Sequence, residues 1–581
     1  MVKSVWLAVF FALLAQLASA ECVQVERIAI ARDGSVEPPD APVERDGNVY
    51  RLTASVCSRR GIVVEANNVV IDGGGFALTG FKVPGSAGIT LMFVSNATIR
   101  NLTVSGFYYG VRVEFSEAVR LEALNVGGCA EGASIANSTR VRVERSRFSG
   151  NVLGVSVLYS SGFEASHCFI EGGFWGVYAS HSPGLRVDSC AISNSSWGTL
   201  LLASPHSALV RNAFEGTGFY PFESFDLTVA NNTVNGKPLV YLEGVEGVVV
   251  RDAGQVVVAR SNRVSVVGVN ISRTSVGIVL IRANNSLVEN CSVKGSRWGV
   301  LLHGVAESQV RNCTLAGNEV GLYLFESADN ELSENLLLFN GVGLRLTGSL
   351  RNVVWGNCFV ANGVEAEVAG GQGNMWDREL GRGNYWSEHY AEDADGDGVL
   401  DQPYRVGADN VDRHPLAVCH LALKLPEPEP SCLLKLEVNG SEVSEVKSGS
   451  TILVRVQVSG ALPMRAVRIE VGNFTAGWFK WDRSGDGWDA LSKTWTVKLQ
   501  TPGNLTVRAQ VRDAGGRLGI CSATIRVRSP PQLEAQKPTG WRGEIVTAIA
   551  FLVTLLTAFL ALKLRKRAKR PLRLARLSAP T

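Results

Sequence analysis

Six short segments, GITL, GVRV, GASI, GVSV, GVYA and GTLL, place their glycines at 88, 110, 132, 154, 176 and 198, each 22 residues from the last. The register returns in GIVL, GVLL, GLYL and GLRL, with glycines at 277, 299, 321 and 343. A strict period of this length demands a solenoid, in which each unit packs only on its neighbours. Within a unit apolar and polar residues alternate, as in TIRNLTV and RVRVERSRF, and Gly, Asn and Ser separate the runs. Such alternation is strand chemistry, and no unit carries a helical period. The dense fixed leucines of a leucine-rich repeat are also missing. These constraints leave a right-handed parallel β-helix over residues 61–371, with about fourteen coils stacked about 4.8 Å apart.

Stacking converts the repeat into ladders of side chains. Asn290, Asn312 and, one residue late, Asn335 and Asn357 are expected to share one ladder, at a turn that needs left-handed backbone. Cys168 and Cys190 are 22 apart, as are Cys291 and Cys313. Their thiols read as small inward-facing core groups rather than as disulfides, because parallel neighbours aim their Cβ atoms poorly for bonding. Between 205 and 260, where Glu243, Glu246 and Asp252 lie, the register breaks. That stretch reads as a loop insertion, with a functional site as the alternative.

The two ends address the chain. MVKSVWLAVFFALLAQLASA combines Lys3, an apolar run and the small-residue ending Ala18-Ser19-Ala20, the pattern of a secretory signal over residues 1–20. A retained anchor is its alternative. Residues 545–562 carry no charge and form the expected transmembrane helix, and the tail 563–581 holds eight Lys or Arg and no acid. Basic residues stay inside, so the region between signal and helix faces outward. Without the tail and Lys3 the formal +3 of the whole chain turns acidic, which argues against nucleic acid as a partner. Twelve Asn-x-Ser/Thr sequons, among them Asn96, Asn101, Asn194, Asn270, Asn439, Asn473 and Asn504, suit a glycosylated surface protein. The eleven cysteines permit disulfides outside the cell, and the odd count leaves at least one thiol over.

Around the solenoid lie smaller units. Residues 21–60 form an N-terminal cap and 372–424 a C-terminal cap containing DADGDGVLDQPYRV. Asp393, Asp395, Asp397 and Asp401 offer the alternating carboxylates that a structural Ca2+ requires. An EF-hand would place Glu where Tyr404 stands, so the loop is expected to clamp the open end of the solenoid rather than to act as a sensor. LPEPEPS, 425–431, is a stiff acidic linker. Alternating runs over 432–530 suggest an immunoglobulin-like β-sandwich, with Cys432 and Cys521 as candidates to join its first and last strands. Residues 531–544 lead to the membrane.

ARDGSVEPPDAPVERDGNVYRLT, VVIDGGGFALTG, VNGKPLVYLEG and the closing GNYWSEHYAEDADGDGVLDQPY, taken with the coils, resemble the NosD-like, carbohydrate-binding-and-hydrolase-type β-helix family over residues 25–418. The resemblance implies a periplasmic or extracellular β-helix, in one branch a copper-site maturation factor. With the sandwich and the anchor, the chain is similar to archaeal cell-surface proteins.

Three chemistries follow for testing. Copper wants converging His, Met or Cys. The chain has seven His, its exported Met are Met92, Met375 and Met464, His181, His206 and His303 share no ladder position, and no HxH, MxxM or CxxC occurs, so copper is not expected. Glycoside cleavage needs paired carboxylates. The motifs NTD with DD and GHG, RIK and DPHD are absent, and Glu114, Glu117, Glu164 and Glu171 read as solvated turn residues, so no catalytic set emerges. Tyr109, Trp175, Trp197 and Trp298 precede the repeat glycine, with Phe219 and Tyr220 a coil above Trp197. A row of rings can hold sugar faces, or it can fill a corner of the core. The resulting expectation is an all-β, membrane-anchored surface protein that binds polysaccharide or glycoprotein. A polysaccharide lyase, hydrolase or epimerase and a copper maturation factor are its alternatives. The sequence leaves the oligomeric state open.

Overall fold

A computed structural model describes residues 22–378, 381–421, 430–459, 464–472, 474–475, 479–480 and 492–529. The signal, most of the Pro/Glu linker, Asn473, the transmembrane segment and the basic tail lie outside the described residues. Among the described residues every regular element is a β-strand, and no helix is long and apolar enough to cross a membrane.

About 15 coils wind as a parallel solenoid. Parallel pairing begins at Val23–Gln24 and Ile28–Ile30, so the segment read as an N-terminal cap already contributes a coil. Each coil carries one long strand, such as Tyr109–Glu114 or Glu131–Ala136, and two short ones. Inward positions hold Val111, Val113, Ala133, Ile135, Val155 and Val157, all fully buried. The periodic glycine is set by close approach: a Cβ at Gly154 would lie 2.5 Å from Gly176 O and 2.6 Å from Ile170 Cγ2.

The asparagine ladder divides into two. Asn290 and Asn312 sit at left-handed turn positions, with φ of 54° at each, and Glu334 follows them there. Asn335 and Asn357 belong to the adjacent buried ladder. Asn335 donates through N and Nδ2 to Asn357 Oδ1 at 3.0 and 2.9 Å, and Asn357 does the same to Asn384. The one-residue delay in the sequence is the step between these ladders. Cysteines substitute for asparagine in such ladders: Cys168 N donates to Cys190 Sγ, and Cys313 N to Asn335 Oδ1. Cys129, Cys168, Cys190, Cys291 and Cys313 are free and buried, as the core reading of the two pairs requires.

The break near 205–260 is a joint, which corrects the loop-insertion reading. The first stack ends its long-strand sheet at Phe219–Phe222. Thr233–Val234 then turns back through Asn235 and Gly236 into the antiparallel strand Lys237–Glu243, which opens the long-strand sheet of a second stack. That sheet continues through Gln255–Ala259, Val276–Ile281, Trp298–His303 and Val320–Phe325. Its inward residues Val256, Val258, Ile278 and Leu280 form the core of the second stack. Their outward neighbours Val257, Ala259, Val279, Ile281 and Leu301 join the core of the first. The side of the second stack therefore covers the end of the first. Ser275 Oγ accepts from Gly198 N and Gly218 N, and the Gln255 amide bonds both N and O of Phe219.

At the far end Trp386 stacks on Phe359 at 4.3 Å and closes the last coil. The Cys358–Cys419 disulfide ties that coil to the following segment. Beyond it, four- and six-stranded sheets over 431–528 face each other across Leu434, Val454, Val467, Val507 and Ile525, and Cys432–Cys521 links the two sheets. This unit docks on the solenoid through Tyr385 OH, which donates to Ala514 O at 2.8 Å.

Candidate functional site

Aromatic side chains concentrate where the long-strand sheets of the two stacks meet. Trp175 and Trp197 pair in register in the first stack, as the 22-residue spacing predicts. Trp197 meets Trp298 of the second stack edge to face at 4.9 Å and stacks on Tyr220 at 5.7 Å. Trp298 touches Tyr323 at 5.2 Å, and Phe222 stacks on His303 at 5.0 Å. The Arg297 guanidinium lies 5.2 Å from both the Phe174 and Trp197 rings.

These rings differ in access. Phe219 is fully buried, and Trp197 and Tyr220 are 6% and 5% exposed, so they hold the joint together and offer no open platform. Trp175, Tyr178, Phe222, Trp298, Tyr323 and Phe325 are half-buried and form the rim. Tyr109 lies several coils away beside Arg112. Trp175 Nε1 and His303 Nδ1 are buried atoms without a hydrogen-bond partner. Burial outweighs the nearby Glu223 carboxylate and lowers the His303 pKa, so its ring is neutral near pH 7.

A second aromatic ladder escaped the sequence reading. Phe93 and Phe115 stack at 5.1 Å on the turn after each long strand, and Tyr159 and His181 stack at 5.2 Å further along the same turn. Phe93, Phe115 and Tyr159 are 65%, 50% and 63% exposed. All four adopt left-handed backbone, with φ between 47° and 58°, where Asn or Gly is favoured. The signal was present: 93 to 115 and 159 to 181 are each one period.

In the Asp-rich loop, single carboxylate oxygens of Asp393, Asp395 and Asp397 lie within 4.8 Å of one another. Asp401 does not join them; its Oδ2 accepts from Ala394 N and pins the loop. Of the named sequons, Asn96, Asn101, Asn194, Asn270, Asn439 and Asn504 are exposed, although the Asn101 amide donates to Asp72.

Residues 43–184 and 87–253 match the family described as "Right handed beta helix region", and residues 245–391 match "Periplasmic copper-binding protein (NosD)". The chain is a NosD-like β-helix protein. No curated protein matches this NosD-like chain. Among solved structures it is similar to the superoxide reductase (neelaredoxin) from Ignicoccus hospitalis, at 17% identity and a TM-score of 0.14, covering 18% of this chain and 82% of that one. It is similar also to DFA-IIIase from Arthrobacter chlorophenolicus A6, at 12% identity and a TM-score of 0.27, covering 44% and 70%.

The donors present in this NosD-like chain do not fit copper. Among the described residues the one convergent group of three His, Cys, Asp or Glu is the hard-oxygen set Asp393, Asp395 and Asp397. The Sγ atoms of Cys168 and Cys291 point at backbone carbonyls inside the core. Met375 and His414 line one cavity, but its other charged groups are Asp329, Glu331, Asp377, Arg378 and Arg413, with no Cys and no second His among them.

Proposed function

We propose that this protein stands on the cell surface and that its solenoid binds polysaccharide or glycoprotein glycan at the joint between the stacks. The carrying observation is the half-buried rim of Trp175, Tyr178, Trp298, Tyr323 and Phe325. The apolar face of a pyranose packs on such rings, and its hydroxyls reach polar neighbours such as the Arg297 guanidinium. The uncharged 545–562 segment and basic tail serve as the membrane anchor, and the two-sheet unit serves as an immunoglobulin-like stalk. A structural Ca2+ at Asp393, Asp395 and Asp397 steadies the end of the solenoid, and the exposed sequons carry glycans.

The test is retention of the full chain on a panel of immobilised polysaccharides. Trp175→Ala combined with Tyr323→Ala is expected to lower affinity for the retained polysaccharide at least tenfold without changing the melting temperature by more than a few degrees. Unchanged retention removes the joint from the binding surface.

A further inference from the structure

At the opposite end of the second stack a cavity of about 700 Å3 lies between the solenoid side and the C-terminal cap. This is within the volume range of small-ligand sites. Glu331 stands on one wall, its Oε1 accepting from Trp355 Nε1 at 2.8 Å, with the Arg378 guanidinium 5.0 Å from the Trp355 ring and 3.9 Å from Glu331. On the other wall Asp377 Oδ2 accepts from His414 Nδ1 at 3.0 Å and from Arg413 N at 3.1 Å. A carboxylate can only accept, so that bond requires a proton on Nδ1. Asp329 is held by Arg351 through two bonds of 2.8 and 2.6 Å. Val353 and Met375 supply apolar surface, and Met375 is 53% exposed.

Three carboxylates and two guanidiniums line the cavity, and the third carboxylate, Asp329, is paired by Arg351 outside the lining, so the cavity has no excess charge with which to select a polyanion or a polycation. The Arg378 and Arg413 guanidiniums reach their acids only at 3.9 and 3.8 Å and keep donors to spare. A wall that alternates donors and acceptors around an apolar floor matches a ligand whose every hydroxyl both donates and accepts. We infer that this cavity is a second saccharide site, open to solvent on one side, which takes the neutral end of a glycan chain, one or two sugar units long. The inference rests on the carbohydrate reading above but uses none of the residues of the joint.

The full chain is titrated with cellobiose, maltose, N,N′-diacetylchitobiose and mannobiose, and binding is followed by saturation-transfer NMR. At least one of these neutral disaccharides is expected to bind. His414→Ala and Arg378→Ala are each expected to weaken it tenfold or more, whereas Phe115→Asn, on an exposed turn outside both sites, leaves it unchanged. Arg378 and His414 are 56% and 44% exposed in their side chains, so both variants should keep the fold. The inference is overturned if none of the four binds, or if binding survives both cavity variants. Polysaccharide retention without disaccharide binding sinks the cavity alone, and disaccharide binding without retention sinks the joint alone. Loss of both sinks the carbohydrate reading.

Discussion

Trp197 and Trp298 come from different stacks and meet edge to face at 4.9 Å, with both rings against Tyr220. A parallel solenoid exposes its core at each end. Here the first stack is closed by Val257, Ala259, Val279, Ile281 and Leu301, outward residues of the second stack that are at most 1% exposed. Aliphatic groups fill the centre of the contact and aromatic rings form its edge.

Trp197→Ala removes the ring that spans the contact. Loss of a buried indole costs about 3–5 kcal/mol. We expect a drop of that size in denaturant unfolding, with the two stacks unfolding in separate steps once their contact is weakened. A single transition shifted by less than about 1 kcal/mol would mean that the joint is held elsewhere.

The buried asparagine ladders make an opposite pair of predictions. Asn352 Oδ1 accepts from both N and Nδ2 of Asn330 at 3.0 Å, and its own Nδ2 donates to Ser327 O and Asn374 Oδ1. Asn352→Ala orphans two buried donors and should cost about 3 kcal/mol or more. Cys313→Asn, by contrast, places an amide directly above Asn335 and extends the ladder that Cys313 N already joins. That substitution should change stability by less than about 1 kcal/mol. Equal costs for the two variants would contradict the ladder account.

The period, the strand chemistry and the free buried cysteine pairs were legible because each is a statement about residues 22 apart. The joint was not. Periodicity reports neighbours within a stack, and Val279 reads as an ordinary strand residue until its outward face is seen against the first stack. The same limit explains the aromatics. Trp197 and Phe93 are equally apolar on paper, yet one is sealed by the joint and the other projects from a turn. The C-terminal cavity was invisible because Glu331 and His414 lie far apart in sequence and meet only when the cap folds back.

Phe93 and Phe115 occupy left-handed turns in which a bulky side chain costs roughly 1–2 kcal/mol. Phe115→Asn removes exposed ring contact but relieves that strain. We expect its melting temperature to equal or exceed that of the parent chain. A loss above about 1 kcal/mol would show that the exposed stack stabilises the solenoid and needs no external role.

For the Asp-rich loop, the sign of a mutation should depend on calcium. Carboxylates of Asp393, Asp395 and Asp397 within 4.8 Å repel one another unless a cation lies between them. Asp395→Asn should therefore raise the melting temperature slightly in chelator. In calcium it should lower it, because binding at one hundred times Kd is worth about 2.7 kcal/mol. If the variant shifts stability equally in calcium and in chelator, the loop holds no Ca2+.

The C-terminal cap should loosen as pH rises. Burial pushes the Glu365 carboxyl up to about 7, against Ser387 and Asn362, which bond its oxygens. It also pushes Asp412 up to about 6, although Asn384 N, Trp386 Nε1 and His414 N all donate to that side chain. Both folded values lie above the ordinary 4.5 and 3.8, so the folded cap holds protons that the unfolded chain releases. The resulting stability is fully present below about pH 4 and is lost as pH rises through 6 and then 7. Each group contributes on the order of 3 kcal/mol across that window, at 1.36 kcal/mol per pKa unit. Trp386 Nε1 donates to Asp412, so the exchange protection of that indole proton reports the cap. In denaturant titrations at pH 5 and pH 8 its protection should be lost at the lower midpoint at pH 8. Glu365→Gln cannot ionise and should recover part of the difference at pH 8 while changing little at pH 5. A variant as pH-sensitive as the parent would assign the effect to other groups.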